Sequence, residues 1–247
     1  MSENIYAKWD ALIGRREVQV KTTPAHPVAG RLVLLAGGTS ASGLASAKAL
    51  LARGARVIIA GRNEDKLAQC RSELPHAYVQ RADLSSEASV AELRARVADK
   101  WGPVDGVFHL VGGWSGGGGL AAQTEEAFRV LESGLSALRH VSRAFDDDLR
   151  LSSAGRTAMV SSIAASRPTG GSANYATLKA AGETWMRAVD HGLRAHGANV
   201  GGGAKSFGTV FRVRSLAGVE KALGEAFAEL WSRPAPAELV LTDIHES

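Results

Sequence analysis

A tyrosine, a lysine and a serine in the second half of the chain have the types and spacing of an acid–base site. Tyr175 and Lys179 are four residues apart, so on a helix they share one face. A lysine ammonium beside a tyrosine favours the phenolate and lowers the pKa of the phenol from about 10 toward neutrality. Ser162 lies thirteen residues before Tyr175, at the end of a predicted strand, where its hydroxyl can bond the same substrate oxygen. This set predicts proton transfer at one oxygen of a small-molecule substrate.

A turn of small residues near the start of the chain predicts a phosphate-binding loop. The apolar run 31–36 indicates a buried strand, and Ala36-Gly-Gly-Thr-Ser-Ala-Ser-Gly43 then opens a helix. Small residues let the backbone approach a pyrophosphate, whose charge the helix N-terminus stabilises. The alternative is a plain turn between a strand and a helix, which we rank second. The residues predicted to bind a dinucleotide here are Gly37, Thr39, Ser40, Ala41 and Gly43.

The end of the second predicted strand bears on the choice of dinucleotide. This strand, residues 56–60, runs into Gly61 and Arg62. An acidic residue at this point would accept a hydrogen bond from a ribose 2′-hydroxyl, whereas an arginine accommodates a 2′-phosphate. Arg62 therefore favours NADP(H) over NAD(H). The competing interpretation is a solvent-exposed arginine that opens a helix.

Short apolar segments alternate with helical ones along the chain. The predicted strands are 31–36, 56–60, 77–81, 104–111, 157–162, a weaker one within 199–211, and 239–242, and the predicted helices are 42–53, 63–74, 85–100, 124–149, 173–195 and 216–231. Parallel sheets that are buried on both faces have such strands, and right-handed crossovers make the sheet doubly wound. We predict one α/β domain of Rossmann type over residues 31–247. Residues 1–30 form an extension, either a loosely packed arm or one that pairs with a neighbouring subunit.

Composition excludes several classes of protein. Hydrophobic residues make up 45% and charged residues 22% of the 247 residues, which is typical of a globular protein. The net charge is +4 with scattered basic residues, which argues against a nucleic-acid partner. No apolar stretch approaches the length of a membrane span. The single cysteine, Cys70, rules out an intrachain disulfide and suits the cytoplasm, and no histidine cluster predicts a metal site.

Together these motifs resemble those of the short-chain dehydrogenase/reductase family, over about residues 31 to 200. The resemblance implies that Ser162 orients a substrate carbonyl, that Tyr175 is the acid–base residue, and that Lys179 tunes Tyr175 and binds the nicotinamide ribose. It also implies that Asp83, next to Leu84, contacts the adenine, although an ordinary surface or core role for Asp83 stays open. Family members are commonly homodimers or homotetramers, which implies the same here through helices 124–149 and 173–195. The matching segments are 36–43, 61–62, 82–84, 161–162 and 175–181.

The chain departs from the family pattern at several positions. Ala36 and Ala41 replace a threonine and a glycine of the glycine motif. His109 stands where the family begins an Asn-Asn-Ala-Gly sequence, and we expect it to be a satisfied packing residue rather than a ligand or an acid–base group. Residues 200–207 contain no Pro-Gly turn of the kind that follows the family's sixth strand. We therefore predict a shortened C-terminal substrate region.

A further departure affects the proton relay. The long helix of the family carries an asparagine that holds a relay water, and Gly134 takes its place here. Three alternatives follow: water and backbone serve the relay, Ser133 substitutes, or turnover is not conventional.

The glycine-rich segment 111–119 follows the fourth predicted strand, at the end of the sheet where such folds bind ligands. Trp114 within it could stack on a planar substrate. An equally weighted alternative is a surface loop whose tryptophan packs against the protein.

The sequence thus predicts a cytoplasmic NADP(H)-dependent ketoreductase or alcohol dehydrogenase. Its substrate would be a small molecule, bulky or aromatic in character, with a carbonyl or hydroxyl group. One alternative is a non-redox enzyme on the same fold, a cyclase, lyase or isomerase that uses Tyr175. The other is a nucleotide-binding protein without catalysis, since a fold and a motif do not settle function.

Overall fold

The computed structural model describes residues 25–199 and 205–245, and within them seven strands form one parallel sheet. The strand order is β3-β2-β1-β4-β5-β6-β7. Most of the predicted extension, residues 1–24, lies outside the described residues. The strands are β1 (Leu32–Ala36), β2 (Arg56–Gly61), β3 (Tyr78–Arg81), β4 (Gly106–His109), β5 (Arg156–Ser162), β6 (Phe207–Val213) and β7 (Val240–Ile244).

The centre of the sheet is the point where the chain reverses its direction of winding. β1 pairs with β2 on one side and with β4 on the other, and Ala36 is in register with both Ala60 and His109. The carboxyl ends of β1 and β4 are therefore adjacent. A crevice opens at such a point in doubly wound folds, and ligands bind there.

Helices cover both faces of this sheet, as the sequence predicts. The described residues form α1 (Ala41–Ala52), α2 (Glu64–Glu73), α3 (Glu87–Trp101), α4 (Glu125–Ala144), α5 (Asp146–Leu151), α6 (Ala173–Asn199) and α7 (Glu220–Ala228). β1 explains the two layers, because successive side chains of a strand point to opposite faces. Val33 and Leu35 pack with Phe227 of α7, whereas Leu32 and Leu34 pack with Leu93 of α3.

Two predictions about elements need correction. The single helix predicted over 124–149 is broken at Phe145, which is fully buried between α4 and α5. In α5, the Asp148 carboxylate accepts from the backbone N–H of Val104 at 3.0 Å, and this bond fixes the second helix against the start of β4.

The second correction concerns β6. This strand covers Phe207–Val213, so the glycine run of 200–207 precedes the sixth strand instead of following it. Residues 200–204 lie outside the described part of the chain. Residues 214–219 alone connect β6 to α7, and this connection is short and contains no Pro-Gly turn. The C-terminal substrate region is therefore short, as predicted, but the short segment is 214–219 and not 200–207.

Candidate active site

The turn between β1 and α1 is shaped by glycines that cannot be replaced without a clash. Gly37 has φ +83°, and a Cβ there would lie 2.9 Å from the backbone nitrogen of Val111. A Cβ on Gly43 would lie 2.2 Å from the carbonyl oxygen of Gly38. Ser40 caps α1, with its Oγ accepting from the Gly43 N–H at 3.1 Å. The turn thus brings the N-terminus of α1 close to the end of β1.

An open cleft of about 320 Å³ lies at this turn, at the carboxyl ends of the strands. Most of the residues predicted to bind a dinucleotide line it. Ala41 and Gly43 do not, because they belong to the first turn of α1, and Gly43 instead packs against the Gly38 backbone. Lys179, predicted to bind the nicotinamide ribose, does not line it either and borders a separate space beside Tyr175. The predicted residues that line the cleft are Gly37, Thr39, Ser40, Arg62, Asp83 and Leu84.

Positive charge collects at one end of the cleft. Arg62 is exposed and also lines an adjoining space of about 530 Å³ together with Arg71, Arg81 and Arg96. Asp83 accepts from the N–H and the hydroxyl of Ser85 at 3.0 and 2.7 Å. These bonds, and then the charge of Arg62, lower the pKa of Asp83. This end of the cleft therefore combines two carboxylates, Asp83 and Glu92, with several guanidinium groups, of which Arg96 pairs with Glu92 at 3.7 Å.

The structure brings the three predicted catalytic residues together. Ser162 ends β5 and is buried, and its hydroxyl lies close enough to Tyr175, near the start of α6, to act on the pKa of the phenol. One turn further along α6, Lys179 Nζ lies 5.6 Å from the centroid of the Tyr175 ring. The same Nζ donates to the carbonyl oxygen of Val160 at 2.9 Å, so the ammonium is held between β5 and the tyrosine.

The pKa of Tyr175 differs from the expectation based on spacing. Burial raises the pKa of Tyr175, and the nearby Ser162 hydroxyl opposes this without outweighing it. The expected lowering by Lys179 is not found, because Nζ faces the ring and is bound to the Val160 carbonyl. Burial also lowers the pKa of Lys179 to about 8, against the charge of Glu183, which raises it.

A second, smaller space of about 30 Å³ lies behind the tyrosine. His109, Gly112, Gly134, Tyr175 and Lys179 are among its lining residues. His109 was expected to be a packing residue with its hydrogen bonds satisfied; the packing is confirmed, and the hydrogen bonding is not. The ring is buried, with 4% of its surface exposed, but its Nδ1 has no hydrogen-bond partner among the described residues. Burial, reinforced by the charge of Lys179, lowers the pKa of His109 to about 3.

One charged residue beside the site was not predicted from the sequence. Glu183 is almost fully buried and accepts from Ser161 Oγ at 2.7 Å and from Arg212 at 2.6 and 2.8 Å. Burial alone would raise the pKa of Glu183, but the bonds from Arg212 and Ser161 hold it below its usual range. A signal was available, since Glu183 continues the four-residue spacing of Tyr175 and Lys179.

The glycine-rich segment 111–119 borders both spaces. Its Gly117 N–H donates to the Gly171 carbonyl at 2.7 Å, and the Gln123 side chain binds the carbonyls of both glycines at 3.1 Å. Trp114 lines the large cleft and is 70% exposed, so the alternative in which it packs against the protein is wrong. Gly134 faces this segment, and a Cβ there would lie 3.6 Å from Gly112 Cα.

Residues 25–199 and 205–245 contain neither a candidate metal site nor a helix that could span a membrane. No group of three or more histidine, cysteine, aspartate or glutamate side chains is arranged to hold a metal ion there. Among the same residues, no helix has the length and apolar character needed to cross a membrane.

Comparison with known proteins agrees with this geometry. The profile of the short chain dehydrogenase family matches residues 31–211. An uncharacterized oxidoreductase of Staphylococcus haemolyticus is 27% identical over 154 residues, or 62% of this chain and 67% of that protein. Ipsdienol dehydrogenase of Ips pini is 41% identical over 86 residues, or 34% of this chain and 32% of that enzyme. The chain thus spans about two thirds of the first relative and about a third of the second.

Solved structures show the same fold. A metagenomic short-chain oxidoreductase in complex with NADP superimposes with a TM-score of 0.76 at 22% identity, over 90% of this chain and all of that one. A xylitol dehydrogenase with bound NAD+ superimposes with a TM-score of 0.65 at 19% identity, over 75% of this chain and 70% of that one.

Proposed function

Since the chain belongs to the short chain dehydrogenase family of oxidoreductases, we propose that it is an NADPH-dependent reductase of a substrate carbonyl, which works in reverse as an alcohol dehydrogenase. One observation carries the proposal. Tyr175 lies beside Ser162, has Lys179 against its ring, and stands next to the cleft that the glycine turn forms. Gly112 and Gly134 line both spaces, so the tyrosine and the cleft belong to one site.

The residues of the cleft fit a nicotinamide dinucleotide phosphate. Gly37 and Ser40 line it where α1 begins, so the backbone there could bind a pyrophosphate at the N-terminus of that helix. Asp83 would contact the adenosine. Arg62, which lines the cleft, would supply the charge that a 2′-phosphate requires. Lys179 would bind the nicotinamide ribose.

The protein residues supply position and a proton, and the bound NADPH supplies the hydride. Ser162 and Tyr175 would hold the carbonyl oxygen by hydrogen bonds. Because burial raises the pKa of Tyr175, its hydroxyl keeps its proton at neutral pH and can donate it to the developing alkoxide. Lys179, with Nζ 5.6 Å from the ring centre, faces the phenolate that remains. Trp114, exposed at the edge of the cleft, would stack on a bulky or aromatic substrate.

Calorimetric titration with NADPH and NADH tests the cofactor. We expect NADPH to bind more tightly than NADH, and Arg62→Glu to abolish the difference. Lys221→Glu makes the same charge reversal on the exposed surface of α7 and should leave both affinities unchanged. Equal affinities in the wild-type protein, or an unchanged NADPH affinity in Arg62→Glu, would contradict the NADP(H) assignment.

Turnover tests the chemistry. Tyr175→Phe should bind NADPH as the wild type does and should lose about 10²- to 10⁴-fold in kcat for carbonyl reduction, the usual effect of removing a general acid. Tyr78→Phe, in β3 and stacked on Trp101, is the matched control. Substrate conversion that depends on Tyr175 without oxidation of NADPH would instead favour the non-redox alternative.

A further inference from the structure

The glycine-rich segment 111–119 lies backbone against backbone on Gly171, just before the start of α6. A Cβ on Gly116 would lie 2.6 Å from the Gly171 carbonyl oxygen, and a Cβ on Gly171 would lie 3.4 Å from the backbone of Gly117. The Gly117 N–H donates to the same carbonyl at 2.7 Å. The glycines at this point therefore permit a close contact between two segments of the chain.

One side chain, that of Gln123, joins the two segments. Its Nε2 donates to the carbonyl oxygens of Gly117 and Gly171, each at 3.1 Å, and a longer bond of 3.4 Å reaches the Gly119 carbonyl. Its Oε1 accepts from the Asn174 N–H at 3.3 Å. The first N–H groups of a helix have no partner within that helix, so this bond satisfies one of them in the first turn of α6.

These contacts connect two residues that the proposed reaction uses. Trp114 Cζ2 would lie 3.2 Å from a Cβ on Gly116, so the indole ring rests on the segment that Gln123 holds. Tyr175 directly follows Asn174 in the first turn of α6. Gln123 itself lines neither the large cleft nor the small space beside Tyr175. It therefore acts on both residues through the backbone and not through contact with a ligand.

We propose that Gln123 is a positioning residue: its amide holds the glycine-rich segment against the start of α6 and so fixes Trp114 relative to Tyr175. The effect on catalysis rests on the proposed reductase activity, whereas the hydrogen-bonded contact does not. The two ends of the amide have separable roles. Nε2 holds the segment that carries Trp114 and governs the binding of a substrate that stacks there. Oε1 holds the helix turn that carries Tyr175 and governs proton transfer, which depends on its exact placement.

Two substitutions of similar size separate these roles. Gln123→Met keeps the length of the side chain and removes all of its hydrogen bonds. Gln123→Glu keeps an acceptor for the Asn174 N–H, but in place of the Nε2 donors it has a second carboxylate oxygen, which the glycine carbonyls repel. Gln69→Met is the matched control, because Gln69 is an exposed glutamine of α2 whose side chain bonds Glu73 on the same helix.

Hydrogen exchange measured by mass spectrometry tests the contact independently of turnover. We expect Gln123→Met to speed amide exchange roughly tenfold to a hundredfold in peptides covering 112–122 and 172–180, because several hydrogen bonds that oppose local opening are lost. Gln123→Glu should speed exchange in 112–122 alone, and Gln69→Met should speed it in neither peptide. Wild-type exchange of 112–122 in Gln123→Met would overturn the proposal, whether or not the protein reduces carbonyls.

Steady-state kinetics test the two roles. Gln123→Glu should raise KM for an aromatic ketone about 2- to 10-fold, as loss of the Trp114 contact would, while kcat changes by less than about twofold. Gln123→Met should raise this KM to the same extent and should also lower kcat by roughly threefold to thirtyfold, because Tyr175 is then misplaced. Gln69→Met should keep both constants.

The outcomes that would contradict each role are distinct. A wild-type KM in both Gln123 variants would overturn the role in substrate binding, and a wild-type kcat in Gln123→Met would overturn the role in placing Tyr175. Failure of the wild type to reduce any carbonyl would contradict the proposed function, and hydrogen exchange would still decide whether Gln123 holds the two segments together.

Discussion

Tyr175, Lys179 and Glu183 occupy successive turns on one face of α6, and each affects the next. Lys179 lies against the Tyr175 ring, and the charge of Glu183 raises the pKa of Lys179 against the effect of burial. Glu183 is in turn held by Arg212 from β6 and by Ser161, which precedes Ser162 on β5. The carboxylate thus acts on two of the proposed catalytic residues without touching the cleft. We infer that it positions Ser162 and keeps Lys179 charged.

Glu183→Gln should change the pH dependence of turnover. Loss of the carboxylate charge lowers the pKa of Lys179 below about 8, so the alkaline limb of the kcat profile, where the ammonium is lost, should move to lower pH. The other groups near Lys179 are Tyr175 and neutral His109, and Arg187 pairs with Glu183 at 3.7 Å. Glu183→Asp keeps the charge and should restore the limb.

A purely structural effect of Glu183→Gln is separated by a control on the same helix. Asp190 is also buried, and its carboxylate pairs with Arg194 at 2.7 Å. Asp190→Asn should therefore lose stability by a comparable amount, about 3 kcal/mol for a broken buried pair, but should keep the wild-type pH profile. Equal alkaline limbs in the wild type and Glu183→Gln would show that Glu183 does not tune Lys179.

Residue spacing predicts part of this site and misses the rest for a physical reason. The three predicted catalytic residues lie at one strand end (Ser162) and on adjacent turns of one helix (Tyr175 and Lys179). Their spacing in the sequence therefore predicts that they are close together in the fold. The missing partner of His109 Nδ1 depends on which groups β4, α4 and α6 bring together, and nothing near residue 109 in the sequence encodes that. The raised pKa of Tyr175 likewise comes from burial, which the four-residue spacing does not report.

At the scale of elements, the turn between β1 and α1 depends on the absence of side chains. Gly43→Ala would place a Cβ 2.2 Å from the Gly38 carbonyl oxygen, and both groups belong to rigid backbone. The turn must therefore move, and we expect a loss of about 1–3 kcal/mol in the free energy of unfolding together with weaker NADPH binding. Gly134→Ala, whose Cβ meets nothing closer than 3.6 Å, is the control and should unfold at the wild-type urea concentration or higher. Urea denaturation measures both, and an unchanged Gly43→Ala would contradict the packing argument.

The segment 111–119 gives a prediction about substrate size. Trp114 exposes 70% of its surface at the edge of the cleft, so its removal costs the protein little packing. Trp114→Ala should raise KM for an aromatic ketone about 2- to 10-fold, the loss of one aromatic contact, with kcat unchanged. A small aliphatic ketone, which cannot stack, should keep its KM. Equal KM values for the aromatic ketone in both proteins would end the stacking proposal.

Elements with a strong period are predictable from this sequence, and irregular junctions are not. The apolar run 32–36 gives β1, because a strand that is buried on both faces consists almost entirely of apolar residues. The break at Phe145 depends on the bond between Asp148 and Val104, a contact between distant parts of the chain. The prediction places the sixth strand too early in the chain, within residues 199–211. Glycine occurs in turns on either side of a strand, so the glycine run of 200–207 does not show whether it precedes or follows the strand.

For the whole molecule, the expected assembly is a homodimer or homotetramer through α4 and α6. These helices lie next to each other on one face of the sheet, and exposed positions such as Arg139, Thr184 and Arg187 form their outer surface. Sedimentation velocity should give a dimer or tetramer at micromolar concentration. Thr184→Glu with Arg187→Glu, which places charge on that surface, should yield monomers, whereas Lys221→Glu on α7 should not. A monomeric wild type would refute the expectation.

The stability of the whole domain toward acid should depend on one buried ring. The pKa of His109 is about 3 in the folded protein and about 6.5 in an unfolded chain, so the unfolded state binds more protons between these values. His109 therefore contributes stability that is present above pH 6.5 and is lost as the pH falls toward 3, at up to about 1.4 kcal/mol per pH unit. In urea unfolding series over this window, His109→Leu should show a slope smaller by that amount than the wild type. Lys179 does not interfere, because its pKa of about 8 places its own effect above pH 7. Equal slopes in the two proteins would show that the His109 ring is not held neutral by burial.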